Sequence, residues 1–254
     1  MLTTILLFAG FMYFVAPLFV LATQRQAANP QFQPYGTTLQ DSRFRFLTDS
    51  AARIQNLGFE LVGYFGLIGY TTNVTLFLAY LIHRQNGDGA LVVMVQSNAG
   101  TSTQLVEYST RFVDQGSLTT GNSRTQGVYF RPRQKPVYHF PWINDPARLY
   151  NLHQQLIQRD KPGMQKEYVK PGAEIERLCD GMRREMAEQL QPGILRLDKS
   201  GEWYRPTLKG AYLMSWKLLP PCKQIRSALR NSSRRRIEKA LAGPTVTPVP
   251  ISPS

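Results

Sequence analysis

The sequence predicts an α+β protein: an N-terminal transmembrane helix, then an antiparallel meander sheet packed with helices, then a helical, basic C-terminal region. Three observations predict it. Leu2–Ala22 is an uncharged apolar run of 21 residues. Between residues 59 and 131, short runs rich in Tyr, Val, Thr and Phe alternate with Gly and Asn turns, with no helical period between them. Residues 205–239 carry 10 Lys and Arg against one acid, Glu238.

A helix over Leu2–Ala22 would be roughly 31 Å long, enough to cross a bilayer core. A cleaved signal peptide is the rival, with Val20-Leu21-Ala22 before the cut. The run is too long for one, and no basic side chain precedes it. Pro17 is no obstacle, because bilayer helices accommodate proline. The distal excess of Lys and Arg fits an anionic cytoplasmic leaflet. The expected topology is therefore single-pass in the bacterial inner membrane, with the amino terminus outside and the soluble part in the cytoplasm. Cys179 and Cys222 make no metal or redox spacing. The net charge of +13 is unevenly placed. Residues 1–176 hold 15 basic and 11 acidic residues, residues 177–204 hold 5 of each, and the excess lies beyond Tyr204.

In order, 1–24 is the anchor and 25–37 a Pro-containing linker. An α+β domain occupies 38–160. It opens with a helix at 39–57, where Phe44, Leu47, Ala51 and Ile54 recur at helical spacing and Gly58 stops it. Leu61–Ile82 is a second uncharged run that could span a bilayer. Thr71-Thr72-Asn73 at its centre and Gly63, Gly66 and Gly69 favour strands at 59–67 and 74–84 instead. Asn86-Gly87-Asp88-Gly89 is a hairpin turn. Strands follow at 90–96, 105–113 and 117–120, with a last candidate at 127–131. Strands without intervening helices make a meander, not a parallel βαβ sheet. Residues 131–141 form a basic, proline-punctuated connector. Asp145-Pro146 caps and starts a helix ended by Lys161-Pro162-Gly163. A helical extension covers 161–204, with a helix from 173 to 190. Residues 205–242 are amphipathic and basic, broken at Pro220-Pro221. The tail 243–254 is Pro-rich and predicted disordered.

The phrases LGFELVGYF, HRQNGDGALVVMV, EYSTRFVDQGSLTTGN, ARLYNLHQQLI and YRPTLKGAYLMSWKLLPP, between residues 57 and 221, give the chain a likeness. It resembles a group of uncharacterised single-pass bacterial membrane proteins with a soluble α+β domain. The resemblance implies the anchor and the strand reading of 61–82. It implies no activity and no site.

Catalytic chemistry is weakly signalled. Cys179 could be paired with His139 or His153 as a hydrolase nucleophile, but a free Cys beside Leu178 on a helix reads as a small buried hydrophobe. Glu185 and Glu188 read as a solvated face. Asp88 and Asp114 read as turn residues that bond their own backbone, with a divalent site between them as the sharper alternative. No cofactor or metal is expected. The clearest signal is the cationic set Lys209, Trp216, Lys217, Lys223, Arg226, Arg230, Arg234, Arg235 and Arg236. It suits anionic lipid headgroups, with nucleic acid or a merely solvated tail as alternatives. The expected function is a membrane-tethered, non-enzymatic binding or scaffolding module for an unknown protein or ligand. The alternatives are a sensor-like domain with an aromatic sheet pocket and the Cys–His hydrolase.

Overall fold

The structure, a computed structural model, describes residues 2–35, 44–98, 100–125 and 127–241, with side chains from Gly10 onward. Its elements in order are α1 (Leu2–Thr23), β1 (Gln26–Ala27), β2 (Gln33–Pro34), α2 (Arg45–Gln55), β3 (Glu60–Thr71), β4 (Val74–His83), β5 (Asp88–Ser97), β6 (Ser102–Arg111), β7 (Ser117–Gly121), β8 (Val137–His139), α3 (Pro146–Asp160), α4 (Glu174–Ala187), β9 (Leu195–Leu197), β10 (Trp203–Pro206), α5 (Leu208–Leu218) and α6 (Cys222–Leu241).

The predicted meander is its centre. β3 to β7 pair antiparallel, each with the next. Asn73 turns the β3–β4 hairpin at φ 62°, a left-handed conformation that Asn tolerates. The second uncharged run lies in β3 and β4. In β4, Leu78–Ile82 are buried on both sides of the sheet. Ala79 and Leu81 join the core under α2 and α3, while Leu78, Tyr80 and Ile82 face Ile175 and Leu178 of α4. A strand covered on both faces reads as a continuous apolar run, which is why its composition imitates a membrane span.

Several expectations are corrected. The linker 25–37 contributes β1 and β2. Gln26 pairs with both Thr71 and Tyr204, so β1 joins the meander to β10 and β9 from the C-terminal half. The expected helical extension 161–204 therefore also holds two strands of the same sheet. The candidate strand at 127–131 is irregular. Val137–His139, inside the presumed connector, is the strand, and it pairs parallel with β7. Among the described residues the sheet has ten strands in the order β8-β7-β6-β5-β4-β3-β1-β10-β9, with β2 also on β3.

The helix signals behave as expected where they are described. The Asp145 side chain accepts from the backbone N–H of Ala147 and Arg148, and Pro146 opens α3. Gly58 takes φ 90° after α2. The start of the expected 39–57 helix, through residue 43, and the 243–254 tail lie outside the described residues.

α1 has 22 residues and no charge. Among the described residues, no helix is long and apolar enough to cross a membrane. The transmembrane helix expected over Leu2–Ala22 is therefore not supported among the described residues. From Gly10 on, α1 is two-sided. Pro17 is buried, and Val20 packs against the cluster of Met186, Ile194, Leu195, Tyr204 and Met214. Phe11, Phe14, Val15, Leu18 and Phe19 are exposed along the other side.

Candidate functional site

The two faces of the sheet differ chemically. Alternation along β6 sends Val106, Tyr108 and Thr110 into the core under α2 and α3. It sends Glu107, Ser109 and Arg111 to the opposite face, where they meet α4 across a cavity of about 200 Å³. Thr119 of β7, Arg131 and Lys135 of the following loop, Arg184 and Glu185 of α4, and Glu188 just after it complete its polar wall. Lys135 is ion-paired with Glu188, and Arg131 reaches Glu185 at 3.4 Å. Arg111 lies across α4 at Gly181, where a Cβ would stand 1.9 Å from the guanidinium Nη2. Burial, and next Arg177, lowers the Arg111 pKa. Burial pushes the Glu107 carboxyl up to about 7, against the opposing pull of Arg131. The cavity thus offers a guanidinium with no ion pair among the described residues and a carboxyl whose pKa burial raises to about 7. Those groups suit a small ligand with an acid function and a hydrogen-bond acceptor.

This is not the aromatic pocket expected from the sequence. Tyr35, Phe44 and Phe77 pack on one another with centroids 5.0–5.1 Å apart. Phe59 and Tyr108 do the same with Tyr150. These rings fill the core and line no cavity of note.

Asp88 departs from its turn reading. It is fully buried and accepts from Thr110 Oγ1 (2.5 Å), Tyr150 Oη (2.9 Å), Gln154 Nε2 (2.7 Å) and Lys166 Nζ (2.9 Å). Thr110 donates to Asp88, so its oxygen accepts from His153 Nε2 at 2.9 Å, and His153 Nδ1 then accepts from Thr120 Oγ1 at 3.0 Å. Burial lowers the His153 pKa to about 4, so the ring is neutral at pH 7. Burial pushes Asp88 up, and its contacts with His153, Thr110 and Lys166 more than offset it, so its carboxyl titrates below the usual range. Every donor and acceptor in this chain is matched, which makes it a structural network. Asp114 keeps its turn role, accepting from Gly116 N at 2.9 Å. The two aspartates are not brought together, and among the described residues no group of three or more His, Cys, Asp or Glu is placed to hold a metal ion.

The Cys–His pair does not form. Cys179, on the α4 side of the sheet, points its sulfur at Pro30 O, 3.6 Å away, and burial raises its pKa. His153 lies in the core on the other side.

The cationic set divides. Arg226, Arg230 and Arg234 turn inward. Arg230 Nη2 donates to Arg124 O at 3.3 Å, and Arg234 Nη2 to Val137 O at 3.1 Å. The Arg234 guanidinium stacks 4.1 Å from the Tyr138 ring centroid. Lys217 Nζ donates to Val128 O at 2.6 Å, and Lys209 Nζ to Pro192 O at 2.8 Å. Lys223, Arg235 and Arg236 remain exposed, Arg235 near the Trp142 ring. Trp216 is exposed and sets an edge against Tyr13 of α1, 5.6 Å between centroids. The spacing of the stripe is visible in the sequence but its direction is not; Arg111 carries no sequence signal, and Glu107 and His139 carry none for the places they take here. Comparison with protein-family models, curated proteins and solved structures finds no match.

Proposed function

We propose that this protein is a membrane-anchored, non-enzymatic binding module. α1 enters the bilayer, α5 lies beside it, and together they hold the sheet body at the membrane. One observation carries the reading: helices from opposite ends of the chain join into a single exposed apolar surface. Tyr13 of α1 donates to Pro220 O at 2.5 Å, just beyond α5. Around that joint Phe14, Leu18 and Phe19 of α1 and Tyr212, Leu213 and Trp216 of α5 are exposed. Contiguous apolar surface of this kind marks a membrane or protein contact. The uncharged Leu2–Thr23 sequence makes lipid the better partner. α6 supports it, because Ile225 and Leu229 are exposed and share their side of the helix with Arg236, the composition of an interfacial helix over anionic headgroups. Nucleic acid is the weaker reading, because three of the arginines counted toward it face the body.

The test is flotation of the full chain with vesicles. The wild type should float with neutral phosphatidylcholine and more completely when phosphatidylglycerol is added. The triple change Tyr212→Ser, Leu213→Ser and Trp216→Ser should reduce flotation, and deletion of residues 2–22 should abolish most of it. Flotation unaffected by both would refute the anchor.

A small-ligand receptor is the second reading, favoured by the Arg111–Glu107 cavity. Thermal unfolding in a panel of small carboxylates tests it. At least one should raise the Tm of the wild type and fail to raise that of Arg111→Gln.

A further inference from the structure

The inner face of α6 carries buried cationic groups that the described residues match only in part. Arg226, Arg230 and Arg234 recur at four-residue spacing, so they form one row along the helix. Arg230 and Arg234 reach the backbone at Arg124 and at Val137 of β8. Neither Arg226, Arg230 nor Arg234 forms an ion pair with a carboxylate among the described residues. Four polar atoms of α6 (Arg226 Nη1, Arg230 Nε, Arg234 Nε and Asn231 Oδ1) and His139 Nδ1 of β8 are buried without a hydrogen-bond partner among the described residues. Buried donors of charged groups are costly to leave unmatched, and a concentration of them calls for a missing acceptor. The surroundings are mainly positive, with the Asp160 carboxylate opposing them near Arg234. The His139 pKa is pushed down to about 4, first by burial and then by Arg131, Arg230 and Arg234. Arg230 is itself lowered, by burial and then by Arg226.

We propose that the seam between α6 and β8 is a phosphate-binding site, in which Arg226, Arg230, Arg234 and His139 hold a phosphate monoester or inorganic phosphate. Guanidinium N–H groups are suited to phosphate oxygens by geometry and by permanent charge. Asn231 joins them once its side-chain amide is turned to present its NH₂ (the two orientations are indistinguishable by shape). The site is separate from the outward cations Lys223 and Arg236 and does not depend on the membrane reading. The phosphate could be free in solution or the headgroup of a lipid such as phosphatidic acid.

The experiment uses the full chain in a neutral detergent. Thermal unfolding is followed in phosphate, pyrophosphate, sulfate and chloride at equal ionic strength and pH 7. Phosphate or pyrophosphate should raise Tm by about 5 °C beyond chloride when far above its Kd. Arg230→Gln should abolish that shift. In chloride alone the same variant should match or exceed the wild-type Tm, because it removes a partly buried charge with no carboxylate partner among the described residues. Arg226→Gln provides a second test in case Arg230→Gln fails to fold. Bilayers then separate the sources. A shift in phosphatidylcholine with added phosphatidic acid, absent in detergent with soluble phosphate, assigns the site to a lipid headgroup. The reverse assigns it to a soluble phosphate. No phosphate-specific shift in either setting, or a shift that Arg230→Gln and Arg226→Gln both retain, overturns the proposal.

Discussion

At the residue scale, buried charge dominates. Asp88 is ionised in the core because three neutral donors and the Lys166 ammonium compensate its burial. Removing one partner of such a pair leaves a buried charge exposed to its desolvation cost. Lys166→Met should therefore destabilise by about 2–4 kcal/mol in denaturant unfolding, whereas an exposed pair such as Arg183–Asp180 should cost little. His153, like His139, weakens the fold on the acid side. Its folded pKa of about 4 lies below its unfolded value of about 6.5. Between those values the unfolded chain binds more protons, so this contribution is present above pH 6.5 and is lost as pH falls toward 4. Glu107 has the opposite sign. Its pKa is raised to about 7, so its contribution is present below the unfolded carboxylate value and is lost as pH rises through 7. Glu107→Gln should stabilise the protein at pH 8 by about 1–2 kcal/mol and have little effect at pH 5, read by unfolding at both pH values. Neither Asp88 nor Glu107 stands out in the sequence. Asp88 sits in a Gly-rich turn signal, and Glu107 is one polar residue in an alternating strand. Their burial depends on helices 40 or more positions away.

At the element scale, local signals identified elements and distant pairings completed them. The hairpins of β3 to β6 follow from alternation and Asn/Gly turns, and α3 from its Asp145-Pro146 start. β1, β2, β9 and β10 were not legible, because each has two to four residues and no pattern of its own. They exist because partners far along the chain supply the hydrogen bonds, as Tyr204 does for Gln26. The spacing of the α6 arginines was legible. Their inward direction was not, since it depends on β8 lying at that edge of the sheet. α5 is held by an equally non-local contact. A Cβ on Gly210 would meet Ile194 O at 1.9 Å, and that atom is backbone. Gly210→Ala should therefore displace the start of α5 and destabilise by about 2 kcal/mol or more, read by chemical unfolding. Gly181→Ala meets the movable end of Arg111 instead, so it should cost less while disturbing the cavity under α4.

At the scale of the whole molecule, the chain closes on itself. β1 ties the exit of α1 to β3 and to β10, and α5 then returns to α1, so one sheet fixes both apolar helices in place. The resulting face, with Phe14, Leu18 and Phe19 beside Tyr212, Leu213 and Trp216, is the feature by which the proposed anchoring stands or falls. Its most direct test is the accessibility of a nitroxide label. Cys179 and Cys222 are replaced by Ala, and the label is placed at Leu213→Cys on α5 or at Lys199→Cys in the exposed β9–β10 turn. The full chain is reconstituted in phosphatidylcholine–phosphatidylglycerol vesicles, and collision rates with oxygen and with a water-soluble nickel chelate are compared. The label at 213 should favour oxygen and the label at 199 should favour nickel. A label at 213 as open to nickel as the one at 199 would contradict a membrane-facing role for the α1–α5 surface.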